Sequence, residues 1–528
     1  MAVGFTASAQ MDAHESHLPP NRRAPYLSLM LDNGWVDGDI INHRYPGCGT
    51  DEDPFIIRWT HNDPRDPMQF SQAVRWAWTG LVSLATFTVA LATSAYTAPS
   101  RQVMATFSVT KLVFELGLSA FILGFAVGPL LWGPLSELYG RRVVFLCTYL
   151  AFTLLTAGCA AAPTIQGLVI MRFLAGAFGS SPLTIAGGIL ADIWPNEQRG
   201  LAMIFFSSAP LFGPSLGPVI GGFIGEAAGW RWVQGFLAIL GGICCLSMTI
   251  IIPETFAPIL LSRRAERISR IQGQVYISKL AKDRQGKALR KSIKEALVRP
   301  WVLLFYEPIV LLLTIYMAIL YGTLYLFFAA FPIVYQEHRG WSQDTGGLAF
   351  LGLAVGIAFG ILVALYVTIR SIRPSKHNSD EVWHPEVRLP MSLVGCVAIP
   401  VGLFWFAWTN DPSLHWLISI AAQVPFGFGF VLVYISIQNY LVDAYTIYSA
   451  SVLAANAMLR SIFGAIFPLF TSYMYHDLGI HWASCVPGFL AIACVPFPFL
   501  FYQYGKRIRQ KCRFAAEAAR HAQELRQR

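Results

Sequence analysis

The sequence predicts an all-α membrane protein, with twelve transmembrane helices in two pseudo-symmetric six-helix bundles. Three observations carry this. Of 528 residues, 55% are hydrophobic and only 13% are charged, whereas a soluble chain is typically about 25% charged. The apolar residues come in long runs without strand-like alternation. Backbone in hydrocarbon must satisfy its own hydrogen bonds, so apolar runs of about 20 residues read as helices. A basic segment from Pro253 to Pro300 divides those runs six and six, the layout of bundles repeated about an axis along the membrane normal.

In order, spans are expected at approximately 73–97, 113–133, 143–162, 168–191, 200–225 and 230–252, then 302–330, 346–369, 388–408, 413–437, 447–474 and 482–504. The domain reading follows. Residues 1–72 form a mostly disordered cytoplasmic tail, 73–252 the first bundle, 253–300 a basic cytoplasmic linker, 301–505 the second bundle and 506–528 a basic cytoplasmic tail. The leading tail is polar and lacks the apolar core of a secretory signal, so the first span is expected to serve as the insertion signal.

The net charge of +9 sits beside the spans. Arg141, Arg142, Arg199, the linker cations, Arg370, Arg373 and Lys376 all fall on turns of one side, while 161–167 and 409–416 on the other side hold no Lys or Arg. Cytoplasmic loops carry this bias. It places both termini in the cytoplasm and argues against nucleic acid as the partner of the charge. Seven of the nine cysteines lie in apolar runs, and none has metal-ligand spacing. No metal or cofactor site is expected.

Four groups of residues stand out. The first is the charged turn Gly133-Pro-Leu-Ser136-Glu137-Leu-Tyr-Gly140-Arg141-Arg142. Gly133 would let spans two and three turn tightly. Glu137 would lie near the start of the following helix, or just before it, where the dipole favours a carboxylate. The second is Arg172, in Met-Arg-Phe-Leu-Ala-Gly within span four. A charge there costs about 2.5–3.5 kcal/mol on insertion scales, so it should face a cavity, a carboxylate or carbonyls, unless it snorkels outward. The third is the span-five ladder of Gly213, Pro214, Gly217, Pro218, Gly221 and Gly222. Gly213, Gly217 and Gly221 recur every four residues on one face and allow close helix contact. The fourth is polar or aromatic: Tyr96, Tyr321, Tyr325, Gln438, Asn439, Asn456 and Arg460 are candidates to line a substrate cavity. Asn456 and Arg460 share a face of span eleven. Asp443 reads as an ordinary carboxylate at the end of span ten. Trp76, Trp78, Trp230 and Trp232 read as interfacial anchors.

The string Gly-x-Leu-Ser-Glu-x-x-Gly-Arg-Arg resembles the loop signature of the major facilitator superfamily, with Glu137 where Asp is more usual. The resemblance implies a cytoplasmic latch between the bundles, joined by Asp192 and Arg199. It also implies that Arg172 belongs to the span-four motif associated with proton coupling, and that the glycine–proline ladder is the antiporter signature. The strings Pro253 to Pro258, Tyr325 to Pro332 and Ala455 to Pro468 are similar to those of fungal twelve-span drug:proton antiporters, over about Asp63 to Tyr504. That group exports drugs, polyamines and secondary metabolites. Many of its members carry Glu where this chain has Ala329, which weighs against polyamines or other strongly cationic cargo.

These readings converge on a secondary active transporter and not an enzyme. It is expected to be a proton-coupled, monomeric multidrug or metabolite efflux pump of the plasma membrane, exporting small organic molecules by alternating access. An importer or facilitator of a small metabolite on the same fold, or a polyamine exporter, is the alternative. Its partners are a small molecule, protons and the bilayer. No carboxylate stands at the centre of the sequence pattern, so Glu115 and Glu307 join Arg172 as proton-coupling candidates. An ATP-driven pump is disfavoured: Gly286-Lys287 is followed by Ala288, and Ala281 stands where a phosphate loop needs its first Gly.

Overall fold

The computed structural model describes residues 29–30, 34–61, 63–278, 289–372 and 384–527. The expected basic residues Lys279, Lys282, Arg284, Lys287, Arg373 and Lys376 lie outside them. The chain divides into two compact units, residues 1–75 with 253–285, and 76–252 with 286–528.

The larger unit is the membrane body. Among the described residues, eleven helical segments are long and apolar enough to cross a bilayer. Those of the first half are Gln72–Ala95, Lys111–Tyr139, Arg141–Ala160, Ile165–Ile193, Gln198–Ala228 and Trp230–Ile251, here spans one to six. Spans seven to ten are Pro308–His338, Gln343–Arg370, Pro390–Trp408 and Trp416–Ala444. The last segment, Thr446–Lys511, breaks at Gly479, where φ is +72°. Its two arms, 446–478 and 480–511, are spans eleven and twelve, which restores the expected count.

Leu150, Leu154, Ile239, Ile243, Leu246, Val394, Val397 and Val401 are exposed on the outside of the body. A belt of this kind is stable only against lipid. Inside, span two packs on spans four and eleven, span seven on span eleven, span five on span eight, and span ten on spans eight and nine.

Of the boundaries that differ from expectation, two have a clear local reason. Span two does not turn at Gly133. Its helix continues through Pro134 to Tyr139, and the turn falls at Gly140, whose φ of 104° and ψ of 153° suit only glycine. Span seven starts at Pro308, not near 302, because Glu307 is extended. A residue before proline is pushed out of the helical region. A separate helix, Leu289–Tyr306, precedes it. Trp78 and Trp230 are buried within the body, unlike the expected interfacial anchors.

The smaller unit holds structure where a mostly disordered tail and a basic linker are expected. Strand β1, Phe55–Ile57, pairs in parallel with strand β2, Tyr276–Ser278, with Phe55 opposite Tyr276. Helix Ala257–Gln272 lies in the same unit and buries Leu260, Leu261, Arg264, Ala265 and Ile268. With Ile40, Tyr45 and Ile57 some of these form a small core. Arg264 is not part of a solvated basic run. It is 1% exposed and grips Asp63 through two hydrogen bonds, of 2.5 and 3.1 Å.

Removing one member of a buried pair strands the other, at a cost of about 3–5 kcal/mol. Asp63→Ala is therefore expected to open this unit. Limited proteolysis of the full chain should show faster cleavage within 34–75 and 253–278, with cleavage of the membrane body unchanged.

Candidate functional site

At one end of the body, the Gly140 turn points its arginines back into the first half. Ser136, fully buried, donates to Gly133 O at 2.8 Å and accepts from Arg141 Nη1 at 2.7 Å. Arg141 Nε lies 3.5 Å from Asp192 Oδ2, and its guanidinium fills the space over Gly188, where an added Cβ would come within 2.7 Å of it. Arg142 donates to Thr249 O at 2.8 Å. Arg199 donates to Ala191 O and Trp194 O at 3.1 and 3.3 Å. These bonds join the ends of spans two to six. Glu137 is exposed in the last turn of span two, not at the start of span three.

The second half has a matching pair that sequence reasoning missed. Arg388, before span nine, donates to Asp443 at the end of span ten at 3.0 Å. Arg509 grips Glu386 through two bonds of 2.9 and 2.8 Å. Arg388 and Asp443 repeat the relation of Arg141 to Asp192: a cation at the turn after the half's second span and an acid ending its fourth. Asp443 is thus a paired group, and its position at the end of span ten was the available signal.

Arg172 does not snorkel. It is 1% exposed, with Nε donating to Gly117 O at 2.8 Å and Nη2 to Thr93 O at 3.2 Å. Its guanidinium sits 4.0 Å above Tyr96 and 5.0 Å from Phe121. Spans one, two and four are tied by this one side chain. Tyr96 is sealed in that core, stacked on Phe114 and donating to Phe114 O at 3.3 Å. It is packing here, not cavity wall.

Span two is roughly 43 Å long at 1.5 Å per residue, so its two ends lie on opposite sides of the body. At the end away from the Gly140 turn, the halves close on each other. Lys111 pairs with Glu337 at 3.1 Å. Arg101 donates to Gln336 O at 3.3 Å, and Gln102 to Gln343 at 3.3 Å. Glu115, 3% exposed, accepts from Ser472 of span eleven at 2.8 Å through Oε1. Its Oε2 is shut from solvent and has no hydrogen-bond partner among the described residues.

The span-five ladder serves both sides of this seal. Gly213 and Gly217 press on span one, where an added Cβ would lie 2.9 Å from Leu91 N or 2.8 Å from Ala95 N. Gly221 meets Ala95 in the same way, at 3.1 Å from its Cα. Gly222 faces the other half, where an added Cβ would stand 3.0 Å from Gln343 O. A Cβ on Gly347 of span eight would fall 2.5 Å from Pro218 O. Helix 196–228 runs through Pro214 and Pro218 without a break.

Glu307 is at the opposite end and is fully answered. Tyr445 donates to its Oε2 and Phe514 N to its Oε1, both at 2.8 Å. It anchors the helix Arg513–Gln527 to the base of span seven.

Deep between spans seven, ten and eleven, the remaining candidates meet. Arg460 lies 4.7 Å from the Tyr321 ring and 5.2 Å from Tyr434. The Tyr321 and Tyr325 hydroxyls are 3.3 Å apart. Gln438 donates to Asn456 at 3.4 Å, and Asn456 to Thr314 at 3.5 Å. Asn439 is half-buried and takes no part in this network.

Two helical halves that close at one end around a polar centre define a membrane carrier. The chain belongs to the Major Facilitator Superfamily, whose profile matches residues 82–468. It is 53% identical over 98% of its length to "MFS-type efflux pump MFS2" of Trichophyton rubrum, covering 87% of that protein. It is likewise 53% identical over 96% of its length to "Major facilitator superfamily multidrug transporter mdrA" of Aspergillus fumigatus, covering 82% of it. "Efflux pump FUBT" of Fusarium oxysporum is 48% identical over 93% of the chain, with 83% of that protein covered. A solved proton:xylose symporter, XylE, superposes with a TM-score of 0.59 at 16% identity, over 82% of this chain and 97% of that one, and shows the shared fold. The protein is a multi-pass secondary transporter, not an enzyme.

The strained turn gives a direct test. Gly140→Ala forces a side chain into backbone space that costs about 1–3 kcal/mol. It should lower the thermal midpoint of the purified chain measurably, whereas Gly133→Ala, whose added Cβ meets Thr184 at an ordinary 3.5 Å, should leave it nearly unchanged.

Proposed function

We propose that this chain is a proton-driven exporter of small organic molecules in the plasma membrane, working as a monomer with both termini in the cytoplasm. The Gly140 turn would then lie at the cytoplasmic end and the Lys111–Glu337 contact at the outer end. Arg141, Arg142, Asp192 and Arg199 would form the cytoplasmic latch. The names of the fungal relatives support export. One observation carries proton coupling: Glu115 bridges the halves to Ser472 with one carboxyl oxygen satisfied and the other not.

The physics of that bond sets the cycle. When the outer end opens, Ser472 leaves and Glu115 meets water. Closing the gate on an ionised carboxylate buries a charge with one hydroxyl for company, which is costly. Closing on the neutral carboxyl avoids that cost. The carboxyl therefore takes a proton from outside, closes, and must lose it to the cytosolic side before the gate reopens. Spans two with eleven and five with eight form the moving seam, and between spans five and eight Gly222 and Gly347 let backbone approach backbone. Arg172 holds the first half rigid behind Glu115. Glu307, with both oxygens bonded, is a structural anchor in this reading.

Glu115→Gln keeps the shape and removes the titration. Cells expressing it should accumulate a fluorescent cargo as vector controls do, at least about tenfold above wild type, while surface expression stays normal. Wild-type export should collapse when a protonophore is added. Export by Glu115→Gln that remains fast and protonophore-sensitive would remove Glu115 from the coupling, and downhill uptake insensitive to the protonophore would favour the facilitator instead.

A further inference from the structure

The centre of the membrane body is electrostatically one-sided. Arg460 stands about midway through it, roughly 17 Å along span eleven from Ser449, and Tyr321 lies roughly 20 Å along span seven from Pro308, at 1.5 Å per residue. Nε and Nη1 of Arg460 are shut from solvent and meet no hydrogen-bond partner among the described residues. No carboxylate lies within ion-pair distance of it there. Among the described residues, the two buried carboxylates of the membrane body are elsewhere: Glu115 at the gate and Glu307 at the base of span seven. Residue 329, one turn before Pro332, is a buried alanine.

Arg172 shows what a purely structural arginine looks like in this protein. Its Nε and Nη2 bond to the carbonyls of Gly117 and Thr93. Arg460 has tyrosine rings above and beside it, but two donors are left over. One turn along each helix, four residues from Tyr434 and from Arg460, Gln438 holds Asn456 with its amide nitrogen and leaves its carbonyl oxygen without a partner among the described residues and closed to solvent. Unanswered N–H donors on a cation, beside an unanswered neutral acceptor, describe the complement of a ligand. It carries an anionic oxygen and a neighbouring donor. The surrounding Tyr321, Tyr325 and Tyr434 suit a flat, conjugated frame.

We propose that the cargo class is a planar organic acid carried as its anion, its charged oxygen held by Arg460 Nε or Nη1 and its ring set among Tyr321 and Tyr434. This rests on the export reading for the direction of movement, but the assignment of charge stands on the open donors of Arg460 alone. It separates this chain from carriers of organic cations, because a cation brought to this position would meet Arg460 with no carboxylate within ion-pair distance among the described residues. A bound anion would answer the two open donors of Arg460.

The test uses three probes of one shape and different charge: naphthoate, naphthamide and naphthylammonium. Each is titrated against the full chain purified in detergent, with thermal stabilisation as the readout. Naphthoate is expected to stabilise the wild type with at least about tenfold higher apparent affinity than the other two, the usual worth of one charge-assisted hydrogen bond. Arg460→Gln should abolish that preference, and Arg460→Lys, which keeps the charge, should restore part of it. Equal stabilisation by acid and amide, or a preference for naphthylammonium, overturns the proposal without recourse to any variant. A preference for naphthoate that Arg460→Gln leaves intact also overturns it. Protonophore-sensitive efflux of naphthoate from cells is scored separately. Its absence alongside Arg460-dependent binding sinks the export reading and leaves the anion site standing.

Discussion

A charge carried into a bilayer must find an answer within the protein, and that constraint organises this structure. Arg172 is answered by two carbonyls and two rings. Glu307 is answered by a tyrosine and a backbone amide. Both are held fast, and both tie helices together. Glu115 is answered by a single hydroxyl from the opposite half, and Arg460 has tyrosine rings beside it while its Nε and Nη1 find no acceptor among the described residues. The completeness of the answer separates groups that hold the body together from groups placed to change partner. Of these four groups, the two less completely answered lie at the seam and at the centre.

The seam owes its closeness to glycine. Span five presents Gly213, Gly217 and Gly221 to span one, and Gly222 to the start of span eight. One helix thereby touches its own bundle and the other bundle without interposed side chains. In hydrocarbon no hydrophobic force drives helices together, so such contacts rest on packing and a few polar bonds. A seam of this kind can part at modest cost. The polar contacts at its closed end are few: Arg101 to Gln336, Gln102 to Gln343, Lys111 to Glu337 and Glu115 to Ser472.

Much of this was legible in the sequence, because membrane helices announce themselves by length and apolarity and because a buried charge is rare enough to notice. Arg172 and Arg460 stand out that way, Asn456 by sharing a face with Arg460, and Glu115 only as one of two acids at the ends of spans. What escaped depended on partners far along the chain. Asp443 looked like a surface acid until Arg388 was beside it, and Arg264 looked like one of many linker cations until Asp63 closed on it. Strands of three residues that pair from opposite sides of the first bundle leave no periodic trace. The turn after span two was placed at Gly133, although two glycines were available, because sequence cannot say which one carries a positive φ; the structure chooses Gly140. Tyr96 was set in the cavity because aromaticity alone does not distinguish a wall from a core.

The most direct measurement of the central claim is the separation of the two halves at the Lys111–Glu337 end as protonation changes. Spin labels at positions 111 and 337 of the reconstituted full chain would report it. The account predicts a short-distance population at low pH that gives way to a longer one as pH rises, and a Glu115→Gln chain that stays short throughout. A distance distribution indifferent to pH, or one in which Glu115→Gln opens like the wild type, would contradict it.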